Sequence, residues 1–411
     1  MDKARKNLLG EYGPWVEQLV STPAREHSFL ENPWEKVGEW SSQGRRLVDS
    51  LLVPPEIGKL QVQVLNKAIL DGIAIEELSW SLPYGPPTHA YFLKPVHATG
   101  SLPAVLALHD HGANKYFGKQ KIADASPRTH PFIQNYRRQY YGGRAWANEL
   151  AKRGYAVLVP DVFLFESRKM TPSQLPGLVV ERTMQALGDL RELSPEDMDE
   201  DRICTSCDVS PQELTTEIET YNAFAAQYES TIAKSLISAG LCWPGIVLAE
   251  DRAALTYLAS RPEVDAGRIG CGGLSGGGLR TNLLAGMDSR IRCSFTAGFM
   301  TSWADFALYT AYTHTWMAYI PGLPRVMDYP ELLALRAPLP ALVQASLQDP
   351  LYSTAEVSKA QAILETIYHK AGAADHFRMS HYEGPHQFDI AMQDEAFSWL
   401  DGWLGHEARK N

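Results

Sequence analysis

Ser275 stands in Gly273-Leu274-Ser275-Gly276-Gly277, a G-x-S-x-G with a strand-like run before it (Arg268–Cys271) and a helical run after it (Leu279–Met287). A strand–turn–helix of this kind lifts a serine hydroxyl above a sheet, and the turn is tight enough to require very small flanking residues. The Gly276 N–H then faces the same space and can stabilise a developing oxyanion. The chemistry this predicts is nucleophilic catalysis through an acyl-enzyme. A G-x-G-x-x-G phosphate loop does not fit, because Ser275 falls where the third glycine would be.

A serine in such an elbow needs a base and an orienting acid, in the chain order Ser, Asp/Glu, His. Asp349 follows the apolar run Pro340–Ser346 and is stopped by Pro350. His386 sits in Glu383-Gly384-Pro385-His386, after the run Phe377–Tyr382 and ahead of a helical pattern over about 390–404. The separations leave room for at least one helix and one strand between successive members. His386 would take the Ser275 proton and Asp349 would hold its tautomer. Glu383 is the alternative acid, three residues from His386, and Asp375 precedes its strand and should lie at the opposite edge of the sheet. The second oxyanion donor should come from the loop His109-Asp110-His111-Gly112-Ala113-Asn114, with the Ala113 N–H as the candidate.

Other motifs carry less. His109-x-His111 has chelating spacing, but no third or fourth ligand accompanies it, so no metal is expected. Gly112–Lys119 has one residue too many for a P-loop, with Gln120 where Ser or Thr should stand. Cys204-Thr-Ser-Cys207 has no partner pair and reads as two ordinary cysteines, and Cys271 as a packed core residue. Trp303, Phe306, Tyr309, Tyr312, Trp316 and Tyr319 form an aromatic cluster. It suits either core packing or a wall beside Ser275, and Trp303, Tyr312 and Trp316 are the candidate substrate-binding residues.

The elements that must hold these residues alternate. Runs at 103–108, Tyr155–Pro160, Arg268–Cys271, Cys293–Ala297, Ala341–Ala345 and Phe377–Tyr382 are apolar, as in parallel strands covered on both faces. Helical patterns at Arg144–Arg153, Ile246–Ser260, Leu279–Met287 and Ala355–Lys370 lie between them, which predicts an α/β fold. Earlier strands are expected at Val62–Leu65, Ile73–Leu82 and Ala90–Leu93. Residues 1–60 read as an N-terminal helical extension and 61–406 as one catalytic domain. Two segments break the alternation: a helical insertion at about 165–244, with helices near Leu175–Leu193 and Pro211–Ser238, and an aromatic-rich insertion at about 298–338. Both follow C-terminal ends of parallel strands, where ligand sites form, so they should roof the site.

At these residues the chain resembles the α/β-hydrolase superfamily, and within it the dienelactone-hydrolase and acetyl-xylan-esterase-like bacterial branch. The resemblance spans about 102–404 and rests on LALHDHG, GYAVLVPD, IGCGGLSGG, Ala337-Pro338 and EGPHQF. It implies an α/β-hydrolase fold with a mostly parallel central sheet. It also implies carboxylic ester hydrolysis without a cofactor, with Ser275, Asp349 and His386 as the triad. The dienelactone-cleaving members use a cysteine nucleophile, so Ser275 argues for an esterase. A serine peptidase of the prolyl-oligopeptidase type shares the triad order, but the segment ahead of the catalytic strands is too short for a propeller. A non-catalytic binding module is the remaining alternative, and the intact Ser/Asp/His set argues against it.

The composition narrows the partners. The chain has 411 residues and a net charge of −10, with no long Lys/Arg run. A nucleic-acid partner is disfavoured, since it needs a positive surface to displace counterions. No apolar stretch approaches the roughly 18 residues of a membrane span. The N-terminal MDKARKNLLGEYGPWVEQLV lacks the apolar core of a signal peptide, and five cysteines are too few for a disulfide framework. A cytoplasmic protein acting on a small-molecule ester is the expectation, and an oligomer is compatible with it.

Overall fold

Every residue of β4 (Leu102–Ala107) and β5 (Ala156–Pro160) is buried. A strand with no polar face must be covered on both sides, and this requirement builds the molecule. The structure is a computed structural model that describes residues 6–21, 25–187 and 211–405. Nine strands form one sheet: β1 (Gln63–Leu70), β2 (Ile73–Trp80), β3 (Thr88–Pro95), β4, β5, β6 (Val264–Leu274), β7 (Ile291–Ala297), β8 (Ala341–Ser346) and β9 (Phe377–Tyr382). Their order is β1-β2-β3-β5-β4-β6-β7-β8-β9. The pairs from β1 to β3 and β3–β5 are antiparallel, and all others are parallel. Asp71 and Gly72, both at positive φ, turn β1 into β2, as an Asp-Gly hairpin does.

The helices are α1 (Gly13–Ser21), α2 (Val37–Leu52), α3 (Pro131–Tyr140), α4 (Trp146–Lys152), α5 (Gly177–Ala186), α6 (Pro211–Ser238), α7 (Trp243–Ser260), α8 (Gly276–Met287), α9 (Thr354–Lys370) and α10 (Ile390–Leu404). Short helical turns fill 303–334. Alternate residues of β4 point to opposite faces. Ala104 and Leu106 join a core with Val48 of α2, Leu255 of α7, Leu283 of α8 and Leu364 of α9. Val105 and Ala107 join a second core with Trp146 and Leu150 of α4 and Phe397 and Leu400 of α10. The N-terminal helices are part of this packing, with Trp40 fully buried and Arg45 donating to the carbonyls of Gly286 and Leu335.

The expected strands and helices recur with shifted ends, and α3 is an addition. The helix expected over 175–193 is met by α5, and its end lies outside the described residues, as do Cys204 and Cys207. Among the described residues, no single helix is long and apolar enough to cross a membrane.

β4 lies between β5, which follows it, and β6, on its other side. The strand order reverses there, the position at which open α/β sheets form ligand sites. The two segments approach closely there, because a Cβ on Gly277 would lie 2.1 Å from Leu108 O. Gly277→Ala is therefore expected to cost about 1–3 kcal/mol in urea unfolding, the usual range for an overpacked site. A Cβ on Gly58 meets nothing within 4 Å, so Gly58→Ala should leave the midpoint unchanged or slightly raised. Equal midpoints for Gly277→Ala and the parent protein would refute the close-approach account.

Candidate active site

Ser275 follows the last residue of β6 and caps the first turn of α8, with φ 54° and ψ −118°. A non-glycine residue at positive φ is strained, and here its neighbours hold it. Its N–H donates to Ala297 O at 2.8 Å, and Leu108 N donates to Gly272 O at 3.0 Å. Cβ atoms on Gly273 and Gly277 would each sit 2.1 Å from Leu108 O, and one on Gly276 would sit 2.6 Å from the His111 nitrogen. The glycines thus let the loop after β4 close directly onto the serine turn.

Asp349 and His386 meet beyond the ends of β8 and β9. The two loops are zipped together by Leu347 N to Tyr382 O at 2.8 Å and Gln348 N to Gly384 O at 3.1 Å. The His386 Nδ1 donates to Asp349 Oδ2 at 2.6 Å, and Leu351 N donates to the other carboxylate oxygen at 2.9 Å. Gly298 follows the residue that binds Ser275 N, and has φ 58°. A Cβ there would lie 3.0 Å from His386 Cε1, so the imidazole packs against this glycine, one residue from Ala297, whose carbonyl accepts from Ser275 N. The buried His386 Nε2 makes no hydrogen bond to Ser275 or to any other described residue. Catalytic bonds of this kind are commonly long without substrate. Glu383 instead receives the Gln348 side-chain amide, and nothing joins it to His386.

The loop after β4 holds its donors differently from the expectation. The Ala113 N–H is spent on His111 Nδ1 at 3.1 Å. The nitrogen that abuts Gly276 is that of His111, and no acceptor takes its N–H among the described residues. Gly276 is the first residue of α8, so its own N–H has no intrahelical acceptor. Two backbone donors, Gly276 and His111, therefore flank Ser275. Both nitrogens of the His111 ring are engaged, since Nε2 lies 2.8 Å from Glu229 on α6, which also pairs with Lys115. Burial raises the Glu229 carboxyl, but His111 and Lys115 outweigh it and hold it below the ordinary value. Glu229 also accepts from Thr315 at 3.2 Å and from Trp316 N at 3.4 Å, so one carboxylate ties both insertions to the loop after β4.

The aromatic candidates separate. Trp303 is 3% exposed, donates to Met327 O, and packs edge-on to Tyr329, a core role. Tyr312 is 77% exposed. Trp316 turns its indole N–H to Ser230 on α6. The residue that reaches the serine turn is Met317, whose methyl would lie 3.2 Å from a Cβ on Gly276. Nothing in the sequence separates Met317 from its aromatic neighbours. His314 is packed among Phe299, Phe306 and Tyr352, and burial pulls it down to about 4, so it is neutral there. Lys119, at the end of the discarded phosphate loop, is held by Asp161 and Glu166. A cleft of about 600 Å³ lined by Tyr91, Phe117, Lys119, His130 and Glu166 includes none of Ser275, Asp349 and His386. Lys119 and Glu166 of that cleft are paired with each other.

No protein-family model matches the chain. A curated relative, "Putative hydrolase YtaP" of Bacillus subtilis (strain 168), is 24% identical over 316 residues, 77% of this chain and 83% of its own length. Among solved structures, a putative acetyl xylan esterase of Bacteroides fragilis NCTC 9343 superposes with a TM-score of 0.65 at 14% identity, over 91% of this chain and 82% of the other. A glucuronoyl esterase from Solibacter usitatus gives 0.57 at 14% identity, over 93% and 97%. The chain has the α/β-hydrolase fold. In that fold the elbow after β6 and the loops after β4, β8 and β9 are the four contributors now described around Ser275.

The short His386–Asp349 bond makes a prediction independent of turnover. An imidazole N–H held by a carboxylate should give a far-downfield proton resonance. Asp349→Asn should abolish it and Glu383→Gln should leave it in place. The reverse pattern would transfer the acid role to Glu383.

Proposed function

We propose that the protein is a serine carboxylic ester hydrolase acting on small acyl esters, with Ser275 as nucleophile, His386 as base and Asp349 as the acid that orients it. The observation that carries this reading is the 2.6 Å bond from His386 Nδ1 to Asp349, which directs Nε2 away from the acid, on a ring packed against Gly298 next to the strained Ser275 turn. The printed names of the structural neighbours, an acetyl xylan esterase and a glucuronoyl esterase, support ester chemistry over other reactions of this fold. The fold alone would not choose, since it hosts many chemistries.

In this reading the Ser275 hydroxyl adds to the ester carbonyl while His386 Nε2 takes its proton. The N–H groups of Gly276 and His111 receive the negative charge on the former carbonyl oxygen. Collapse expels the alcohol, which leaves with the proton from His386, and the acyl group stays on Ser275. Water then attacks the acyl-enzyme with His386 again as base, and the acid departs. Asp349 stays ionised throughout and stabilises the imidazolium formed in each half. The second oxyanion donor is thus moved from Ala113, whose N–H is occupied by the His111 ring.

A fluorophosphonate should label Ser275, and Ser275→Ala should remove both labelling and hydrolysis of p-nitrophenyl acetate. Losses on the order of 10⁴–10⁶ in kcat are typical of a missing nucleophile. An alanine variant retaining more than roughly a tenth of the activity would exclude Ser275 on the same scale. Asp349→Asn should cost about 10²–10⁴ in kcat with little change in melting temperature, and Glu383→Gln less than about tenfold.

A further inference from the structure

Lys121 is completely buried, and its ammonium does not spend its shortest bonds on a carboxylate. Nζ donates to Asp110 O at 2.8 Å and to His111 O at 3.0 Å, while the nearest carboxylate oxygen, Asp110 Oδ2, stands at 3.8 Å. His109 Nδ1 lies 3.0 Å from the same Asp110 carbonyl. A carbonyl can only accept, so Nδ1 carries the hydrogen and His109 is the neutral Nδ1–H tautomer. Burial, together with Arg280 and Lys121, keeps it far from protonation. The Asp110 carboxylate is itself tied to the hydroxyls of Tyr136 and Tyr141, so it supplies a fixed counter-charge for the lysine. Burial pulls the ammonium down to about 8 and Asp110 opposes this, which leaves it cationic at neutral pH.

The peptide between Asp110 and His111 is therefore gripped at its oxygen by two donors, one of them a cation. In a trans peptide the C=O and the following N–H point in opposite directions. With the Asp110 oxygen turned to Lys121 and His109, the His111 N–H must leave from the other side, where Gly276 abuts the His111 nitrogen. A cation on the carbonyl oxygen also withdraws charge from the amide and strengthens its N–H as a donor.

We infer that Lys121 is a positioning residue for the oxyanion hole: its ammonium holds the Asp110 and His111 carbonyls and so presents the His111 N–H to the space above Ser275. The inference rests on the reading of Ser275 as nucleophile. Without the lysine, the peptide can turn its carbonyl into the hole, where it would repel the developing oxyanion.

Thiono substitution isolates the hole, because the sulfur of a thionoester accepts hydrogen bonds weakly. In the full-length protein, Lys121→Met is expected to lower kcat for phenyl acetate by about 10²-fold, the scale of one lost oxyanion donor. KM should stay within about threefold, since the interaction is made in the transition state. The thionoester O-phenyl thionoacetate should lose much less, so the oxo-to-thiono preference collapses. Equal losses on both substrates would mean a merely structural lysine and overturn the proposal. Because a buried lysine variant can fail to fold, the wild-type protein supplies a second test. In its crystal structure after inactivation by diethyl p-nitrophenyl phosphate, one phosphoryl oxygen should lie at hydrogen-bond distance from the nitrogens of both Gly276 and His111, with Lys121 still on Asp110 O. An oxygen bound by Ala113 N, or a Lys121 detached from Asp110 O, would overturn the proposal. Absence of both an adduct and wild-type turnover would instead reject Ser275 as nucleophile, and the inference would fall with it.

Discussion

The loop after β4 and the turn after β6 touch backbone to backbone, and the rest of the site is arranged around that contact. Leu108 O occupies the space where Gly273 and Gly277 would carry side chains, and the His111 nitrogen occupies that of Gly276. The contact lies where the strand order reverses, so both chain segments arrive at the same end of the sheet. It has two consequences. It sets the β4 loop against the positive-φ turn at Ser275, and it brings a second backbone nitrogen, that of His111, beside Gly276. Such proximity requires glycine, and the strain is sustained by the strand pairing on either side of β6.

Holding the β4 loop in that position takes an unusual amount of buried charge. Lys115, Lys119 and Lys121 are all buried within a few residues of one another, and each is met by a carboxylate or by carbonyls. Desolvating each ion costs several kcal/mol, which only good geometry offsets. Apolar residues would pack as well at lower cost, so the network is better understood as orienting the loop than as stabilising the fold. Arg280 extends it from α8, with a two-pronged pair to Asp251 at 3.0 and 2.7 Å and a weaker bond to His109 O.

One helix serves both halves of the proposed machinery. From α3 and the residue just after it, Tyr136 and Tyr141 hold the Asp110 carboxylate, and Arg137 binds Lys121 O. At the same end, Tyr140 O accepts from Phe388 N, two residues beyond His386, and Tyr141 O accepts from Gln393. The loop after β4 and the loop that carries His386 are thereby braced on a common support. On the opposite side, Glu229 of α6 ties the His111 ring to the aromatic insertion. The aromatic insertion and the loop after β4 are coupled through one carboxylate.

The parallel strands, the elbow and the order of its partners were legible in the sequence, because each is local. An apolar run of six residues in Leu102–Ala107 can only be a covered strand, and a serine flanked by glycines between strand and helix has few other uses. Asp349 and His386 were legible as residues at strand ends, since a strand's direction decides which end of the sheet its next loop occupies. What the sequence could not contain is which atoms face each other across tens or hundreds of residues. Helix α3 passed unnoticed because Pro131 and its polar face resemble a loop, although Pro is favoured in a first helical turn. Ala113 was a reasonable donor by position, but a peptide's orientation follows from what grips its carbonyl, and the grip comes from Lys121 and His109. Trp303 packs in the core and Met317 approaches Gly276 for the same reason: side-chain type sets what a residue can do, whereas the packing of the insertion decides which one comes near the turn. Local chemistry is thus written in residue order, and orientation and contact arise only when distant segments close on each other, because the free energy of those contacts belongs to pairs far apart in the chain.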